Sequence, residues 1–377
     1  MVKIIIYYHN HLIQLEASPT ASISLLFPVL KNAFQLKGTN SDYYLWASEF
    51  HGFEDEDEKQ KKKLCELGNL HEARFFLIDK ADKEKFDPFL KNILPSMICE
   101  AAKLKESGIF IVSSINMMYK FILNSTKEGV AEKVLSIIPF DRIDPFEGDA
   151  KVAEITKWFK EDFFTYVKEL PCHICGSPTI RENDTSVPSY PTEEEASSGV
   201  ERFQIFKCKS TKCGALSRFP CYINVCKLLD VKKGLENETI YAFAAILINL
   251  GYEIRLVKSI NGDSLWVEYW SDEKGRYINI DPCENIIDQQ FLNEKKMEKP
   301  ESWVIAVGEN QCVDVTLKYA QNIDKCIHFR KHLCPEEWYT NYIKFKNEEL
   351  LYSIENEEER KAILEHQQKD IESLKKI

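Results

Sequence analysis

Between residues 174 and 327 the sequence contains no histidine, although the chain has eight, at positions 9, 11, 51, 71, 173, 328, 332 and 366. That absence excludes, within this stretch, the usual way of activating a thiol, in which an imidazole takes its proton and later returns it to a leaving amine. Clustered positive charge is missing as well. The formal net charge is −11 and no long basic run occurs, so strong affinity for a phosphate backbone is not expected and nucleic acid is not the expected partner. No stretch approaches the roughly 18 apolar residues of a membrane span, and Met1-Val2-Lys3-Ile4-Ile5-Ile6 is too short an apolar run for a secretory signal. These absences lead to the expectation of a soluble intracellular protein.

What the chain does have begins with size. Its 377 residues allow one large domain with an appendage, or two domains. Twelve cysteines in a chain without a secretory signal are expected to stay reduced, with some of them holding metal. Cys172-His173-Ile174-Cys175 is a knuckle of that kind, and a second pair, Cys208 and Cys213, follows after 32 intervening residues. Thiolates two to four residues apart can point at one ion from a tight turn, and four of them make a structural tetrahedron. Cys221 and Cys226 show the same spacing as the second pair and compete with it. The other cysteines read as small buried hydrophobes or surface thiols.

Residues 1 to 80 read as strand, strand, helix, strand, strand. Lys3–Tyr8 and Leu12–Leu15 alternate around the turn His9-Asn10-His11. Ser22–Phe34 follows as a helix with Pro28 in its first turns, and Tyr43–Trp46 and Ala73–Ile78 are extended. The run Glu54–Lys63 reads as a solvated loop. Residues 81 to 170 are helical in pattern, in segments Leu94–Leu104, Ile115–Leu123 and Ala150–Leu170. The aromatic stripe of the last segment is spaced for core packing. Residues 181 to 200 are polar, acidic and Ser-rich and read as a loop. Residues 335 to 377 read as amphipathic helix.

Several strings, taken together, resemble the cytoplasmic peptide:N-glycanases of the transglutaminase-like superfamily. Trp158-Phe159-Lys160-Glu161-Asp162-Phe163-Phe164 is similar to the helix ahead of that family's zinc module. Lys227-Leu228-Leu229, Asn249–Val257, and Arg276–Glu284 with the run Asp281-Pro282-Cys283-Glu284-Asn285 are similar to its catalytic core. Ser302–Val307 and Cys312–Tyr319 are similar to its closing strands, so the resemblance covers residues from about 130 to about 330.

The resemblance implies an α+β fold: a transglutaminase-like, papain-like core (217–334) with an inserted four-cysteine zinc-binding module (171–216). The order of elements over residues 1–80 resembles the ubiquitin-like β-grasp, with an unrelated small α+β domain as the alternative; a helical lead-in (81–170) would precede the core and a helical tail (335–377) would follow it. It implies structural Zn2+ held by Cys172, Cys175, Cys208 and Cys213, because Ser217-Arg218-Phe219-Pro220 follows the second pair as a similar string does in the family. There the second half is CxxC; here it is wider. The family cleaves N-glycans from denatured glycoproteins with a Cys/His/Asp triad. Counting forward from Arg218 without a gap, the nucleophile position is Glu236. The base position, in Asp263-Ser264-Leu265-Trp266-Val267-Glu268, is Ser264, and the third member is Asp281. Nucleophile and base are thus both replaced.

The leading expectation is a pseudoenzyme of misfolded-glycoprotein quality control in ER-associated degradation. It would be cytoplasmic, with the nucleus as a second location. It would bind glycoprotein or N-glycan through Trp266, Glu268 and Trp270, and meet ubiquitin shuttle receptors or proteasome-associated adaptors. A second reading is an active amidase that recruits an imidazole from His173 or His328. A third is an inactive transglutaminase-like DNA-repair factor. Glu236 and Asp281 acting as a glycosidase-like carboxylate pair is the remaining alternative.

Overall fold

The computed structural model of the chain describes residues 2–8, 11–47, 63–64, 72–79, 106–182, 192–198, 200–262, 264–291, 301–331, 333–352, 354 and 356–374. The chain divides into two compact units, one of Met1–Phe110, Asn310–Val313 and His328–Lys369 and the other of Ile111–Glu309, Asp314–Ile327 and Asp370–Ile377. Among the described residues, no helix is long and apolar enough to cross a membrane.

In the first unit, β1 (Val2–Tyr8), β2 (His11–Ala17), α1 (Phe27–Ala33), β3 (Tyr43–Ala47) and β4 (Glu72–Asp79) reproduce the expected order of elements. The sheet runs β2-β1-β4-β3, with β1 parallel to β4 and the other neighbours antiparallel. Residues of one strand face alternate, and accordingly Ile4 and Ile6 are buried, as are Phe75 and Leu77 and the helix residues Phe27 and Leu30. Pro28 sits in the first turn of α1, where a missing N–H leaves no bond unmade. The run 54–62 and the helix expected over 94–104 lie outside the described residues.

The second unit contains most of α2 (Glu106–Ser125), then α3 (Val130–Ile137) and α4 (Gly148–Trp158). The segment Ile115–Leu123, expected to be helical, lies inside α2. The helix expected to run to Leu170 stops short. Past Trp158 it widens into one π turn, Phe159–Phe163, closed by Phe164 N–H donating to Phe159 O at 2.8 Å. The chain then becomes extended, and β5 (Thr165–Tyr166) pairs in parallel with β9 (Lys233–Gly234). Thr165, Tyr166 and Val167 favour strand, and the partner strand decides the matter. The aromatic stripe is core, as its spacing suggested. Trp158 stacks on Phe163 at 4.9 Å, and Phe159 stacks on Phe164 and meets Phe243 edge-on, each at 5.2 Å.

Residues 181 to 200 are not wholly a loop. β6 (Thr179–Glu182), β7 (Val200–Cys208) and β8 (Leu216–Tyr222) form an antiparallel sheet in that order. A short helix, Glu193–Ser197, precedes β7; Thr192 and Glu195 cap it reciprocally. Glu195 also takes two bonds from the Arg218 guanidinium, at 2.9 and 2.8 Å. The capping pattern Thr-x-x-Glu was readable in the sequence, but the acidic composition around it masked the signal. Residues 183–191 lie outside the described residues.

After α5 (Val225–Val231) comes α6 (Glu236–Asn249), buried along most of its length. It ends at Gly251, whose φ of +85° is the left-handed position that closes a helix. Beside it lies an antiparallel sheet with the order β13 (Ile286–Ile287), β12 (Arg276–Asp281), β11 (Leu265–Ser271), β10 (Ile254–Ser259), β14 (Val304–Gly308). Every residue of β10 and β14 is buried. The last two helices, α7 (Glu336–Tyr352) and α8 (Glu357–Leu374), fall within the expected helical tail. Trp338 and Tyr342, four residues apart on α7, stack at 5.2 Å.

An ionic cluster sits inside the sheet. Glu268 accepts from Arg255, Lys318 and Tyr319, and the Arg255 guanidinium also donates to Asp370 at 2.6 Å. All are buried. Burial pushes the Glu268 carboxyl up, but Arg255 and Lys318 outweigh it and hold the group at about 2, against an ordinary 4.5. A carboxylate depressed in this way stabilises the fold fully above its unfolded pKa. That contribution, on the order of 3 kcal/mol, is lost as pH falls from about 4.5 toward about 2. Removing one charge from a buried pair typically costs about 3 to 5 kcal/mol. Glu268→Gln is therefore expected to lower stability at pH 7 by that amount and to flatten the acid limb, as read by urea unfolding at pH 7 and pH 3.

Candidate functional site

Glu236 is the first residue of α6. The N-cap, Leu235, brings no capping side chain; instead Glu238 reaches back to accept from Leu235 N–H at 3.1 Å. Ahead of it, Gly234 is required by close approach. A Cβ there would lie 2.5 Å from Glu238 Cβ and 3.3 Å from the Phe164 ring. The strand therefore runs tightly into the helix and fixes where residue 236 emerges.

Ser264 closes the turn between β10 and β11, its carbonyl accepting from Ser259 N–H at 2.9 Å. Asp281 ends β12. Its Oδ1 accepts from the backbone N–H groups of Cys283 at 3.0 Å and Glu284 at 3.3 Å, which holds the turn. Because β11 and β12 are antiparallel, the start of one and the end of the other reach the same edge of the sheet. All three positions line one cleft of about 180 Å³, together with Trp266, Asn279 and Cys283.

The cleft's electrostatics oppose thiol chemistry. Burial, and then the carboxylates of Asp281, Glu236 and Glu284, push the Cys283 thiol far above its ordinary range. It is protonated at pH 7. Tyr166, also in the lining, is raised to about 12 by burial and by its acidic neighbours. Among the described residues, no imidazole lines the cleft. His173 is exposed on the cysteine module, its Nδ1 2.7 Å from Ser217 Oγ, and His328 belongs to the other unit. A serine hydroxyl does not serve as a base at neutral pH in the way imidazole does.

Of the three residues expected to contact ligand, Trp266 lines the cleft, resting edge-on against Tyr319 at 4.8 Å. Glu268 and Trp270 do not. Glu268 is fully buried among its cationic partners, and Trp270 lies edge-on to Tyr277 at 5.2 Å with its Nε1 donating to Asp272 at 3.0 Å. The three share a face of β11 by alternation. Each step of two residues nevertheless moves about 6.6 Å along the strand, and only the first reaches the edge where the cleft opens. Sequence reasoning missed Tyr166, placed inside a supposed helix, and Asn279, which no motif singled out.

Away from the cleft, the four expected cysteines converge. The sulfurs of Cys172, Cys175, Cys208 and Cys213 all lie within 4.8 Å of one another and form a group that could hold a metal ion. Two sulfurs of a tetrahedral zinc–thiolate site at bond lengths of about 2.3 Å stand about 3.8 Å apart. Here Cys172 and Cys213 are 3.7 Å apart and Cys175 and Cys208 3.5 Å, so the donor set and its spacing fit such an ion. Gly176 and Gly214, each directly after a knuckle's second cysteine, take φ +70° and +59° to fold the turns. The competing pair is elsewhere. Cys221 is packed with Val167, Phe206, Phe219 and Leu235, and Cys226 Sγ lies 3.9 Å from Gly129 O.

Comparison with known proteins adds to this geometry. Residues 256–373 match the model of the Rad4 transglutaminase-like domain. Proteins named peptide-N(4)-(N-acetyl-beta-glucosaminyl)asparagine amidase align with the chain. The one from Gallus gallus is 33% identical over 199 residues, covering 52% of this chain and 30% of that protein. The one from Saccharomyces cerevisiae is 31% identical over 229 residues, covering 60% and 61%. The chain is thus similar to peptide:N-glycanases over about half of its length. A third relative, from Arabidopsis thaliana, is 32% identical over 199 residues, covering 52% of this chain and 26% of its own length. The chain thus spans 26% to 61% of the length of these three relatives. A crystal structure of Rad4-Rad23 bound to a 6-4 photoproduct UV lesion superposes with a TM-score of 0.36 and 13% identity, over 72% of this chain and 60% of that one. A likeness at that level bears no functional weight.

Proposed function

We propose that this peptide:N-glycanase-like protein is a pseudoenzyme, a receptor for unfolded glycoprotein in quality control that does not cleave the glycan. One observation carries the reading: where the related amidases would need a thiolate beside an imidazole, the cleft offers Glu236 and Ser264, and Cys283, the thiol in its lining, is held neutral. Cleaving the glycan–asparagine amide on this scaffold needs a nucleophile that can be deprotonated near pH 7 and an acid to protonate the departing nitrogen. Neither is in the lining. Asp281 builds the turn by accepting from the Cys283 and Glu284 N–H groups.

The surrounding parts fit a binding role. The four-cysteine cluster would hold structural Zn2+, fixing β6, β7 and β8. The strand order of the first unit is compatible with a ubiquitin-like β-grasp, a surface suited to ubiquitin shuttle receptors or proteasome-associated adaptors. The cytoplasm, with the nucleus as a second location, is where such partners would be met.

The test uses a denatured glycoprotein carrying high-mannose glycans, with and without enzymatic removal of the sugar. The chain is expected to retain the glycosylated form on beads and to leave its mass unchanged after prolonged incubation. Release of intact glycan, abolished by Glu236→Ala, would establish the second reading, an active amidase.

A further inference from the structure

The cleft's lining carries three carboxylates, Glu236, Asp281 and Glu284, and no positively charged side chain. Lys168 and Lys160 reach Glu284 at 2.5 and 3.9 Å, both from outside the lining, with 62% and 37% of their side chains exposed. The interior has a second, independent feature. Asn279 is 6% exposed; its Nδ2 donates to Gln289 O at 3.0 Å, while its Oδ1 has no partner. A buried acceptor left unmet costs about 1 to 3 kcal/mol, and a ligand that donates there removes that cost. The walls are aromatic, with Tyr166, Trp266 and Tyr319 in the lining, and aromatic faces attract cations.

Size narrows the ligand further. At about 180 Å³ the cleft is smaller than the roughly 300 Å³ at the low end of whole-ligand sites. It has room for one side chain. A neighbouring hollow of about 400 Å³ shares Tyr166, Cys283 and Glu284 with it and is lined farther out by Lys160 and Lys168, leaving room for the main chain that bears the side chain.

We infer that the cleft seats a cationic side chain of a bound polypeptide, the ammonium of Lys or the guanidinium of Arg, between the carboxylates and the Asn279 carbonyl. This rests on the reading of the site as a receptor and gives it a specificity: unfolded segments are held where a basic residue can enter. In a thiol enzyme a cation lodged here would be unwelcome, since it would occupy the place of the reacting atoms. With Glu236 at the end of α6, the same place attracts one.

The decisive experiment titrates the full chain with Nα-acetyl-lysine methylamide and with its uncharged counterpart Nα-acetyl-norleucine methylamide. The indole NMR signal of Trp266, assigned through Trp266→Phe, reports occupancy. The lysine compound is expected to shift that signal saturably, and the norleucine compound to bind at least about tenfold more weakly, as loss of a close charge pair in partly screened surroundings requires. Glu236→Gln is expected to weaken the lysine compound by a similar factor, and added salt to weaken it further. Equal responses to the two compounds, or a lysine response unchanged in Glu236→Gln, would overturn the inference. The probe carries neither glycan nor an unfolded chain, so failure of glycoprotein capture and failure of cation binding are read separately.

Discussion

The double variant Glu236→Cys, Ser264→His is expected to release N-glycans from denatured glycoprotein, while either single variant remains inactive. A cysteine at position 236 would sit at the N-terminus of α6, where the helix end favours thiolate. A histidine at position 264 would enter the same cleft, which Asp281 already lines. Members of a catalytic triad act as a unit, and losing one costs nearly as much as losing all. The double variant should therefore exceed each single variant by at least about a thousandfold, measured as glycan released per hour by mass spectrometry. Activity in Ser264→His alone would mean that Cys283, not position 236, supplies the sulfur. That outcome contradicts the burial and the carboxylates that keep Cys283 protonated. Absence of activity in a folded double variant would show that more than two positions separate receptor from catalyst.

The second large effect concerns the cysteine module. If the four sulfurs hold Zn2+ as proposed, the chain will carry one zinc per molecule. Cys208→Ser or a strong chelator is then expected to unfold β6, β7 and β8 locally. Structural zinc contributes on the order of 10 kcal/mol to small modules, far more than this three-stranded sheet can supply by burial. Loss of hydrogen-exchange protection over 172–222, with α6 and the central sheet still protected, is the expected signature. Thiol labelling offers a check: Cys172, Cys175, Cys208 and Cys213 should resist modification in the native chain and react together after chelation. Two of the four reacting freely before chelation would end the tetrahedral assignment.

Much of this arrangement was legible because its signals are local. The knuckle cysteines are close in sequence within each pair, and turn geometry does the rest. The start of α6 at Glu236 and its end before Gly251 follow from a carboxylate-rich first turn and a left-handed glycine. What was not legible depends on distant partners. Thr165 and Tyr166 leave the helix because Lys233 and Gly234 offer them a strand, nearly seventy residues on. Glu268 was expected to contact ligand together with Trp266 and Trp270. Only the arrival of Lys318 and Tyr319 from beyond β14, with Arg255 across the pair, commits it to the interior. Asn279 carries no motif, and its unmet oxygen is a property of the assembled cleft alone.

The reach of Glu238 back to Leu235 has an evolutionary consequence. Helix α6 is anchored by residue 238, the approach of the preceding strand by Gly234, and the facing turn by the backbone bonds of Asp281. None of these depends on what stands at 236 or 264. Those two sites can exchange their side chains while these anchors stay in place, so, on the proposed reading, a change between hydrolase and receptor needs no rebuilding of the architecture around them.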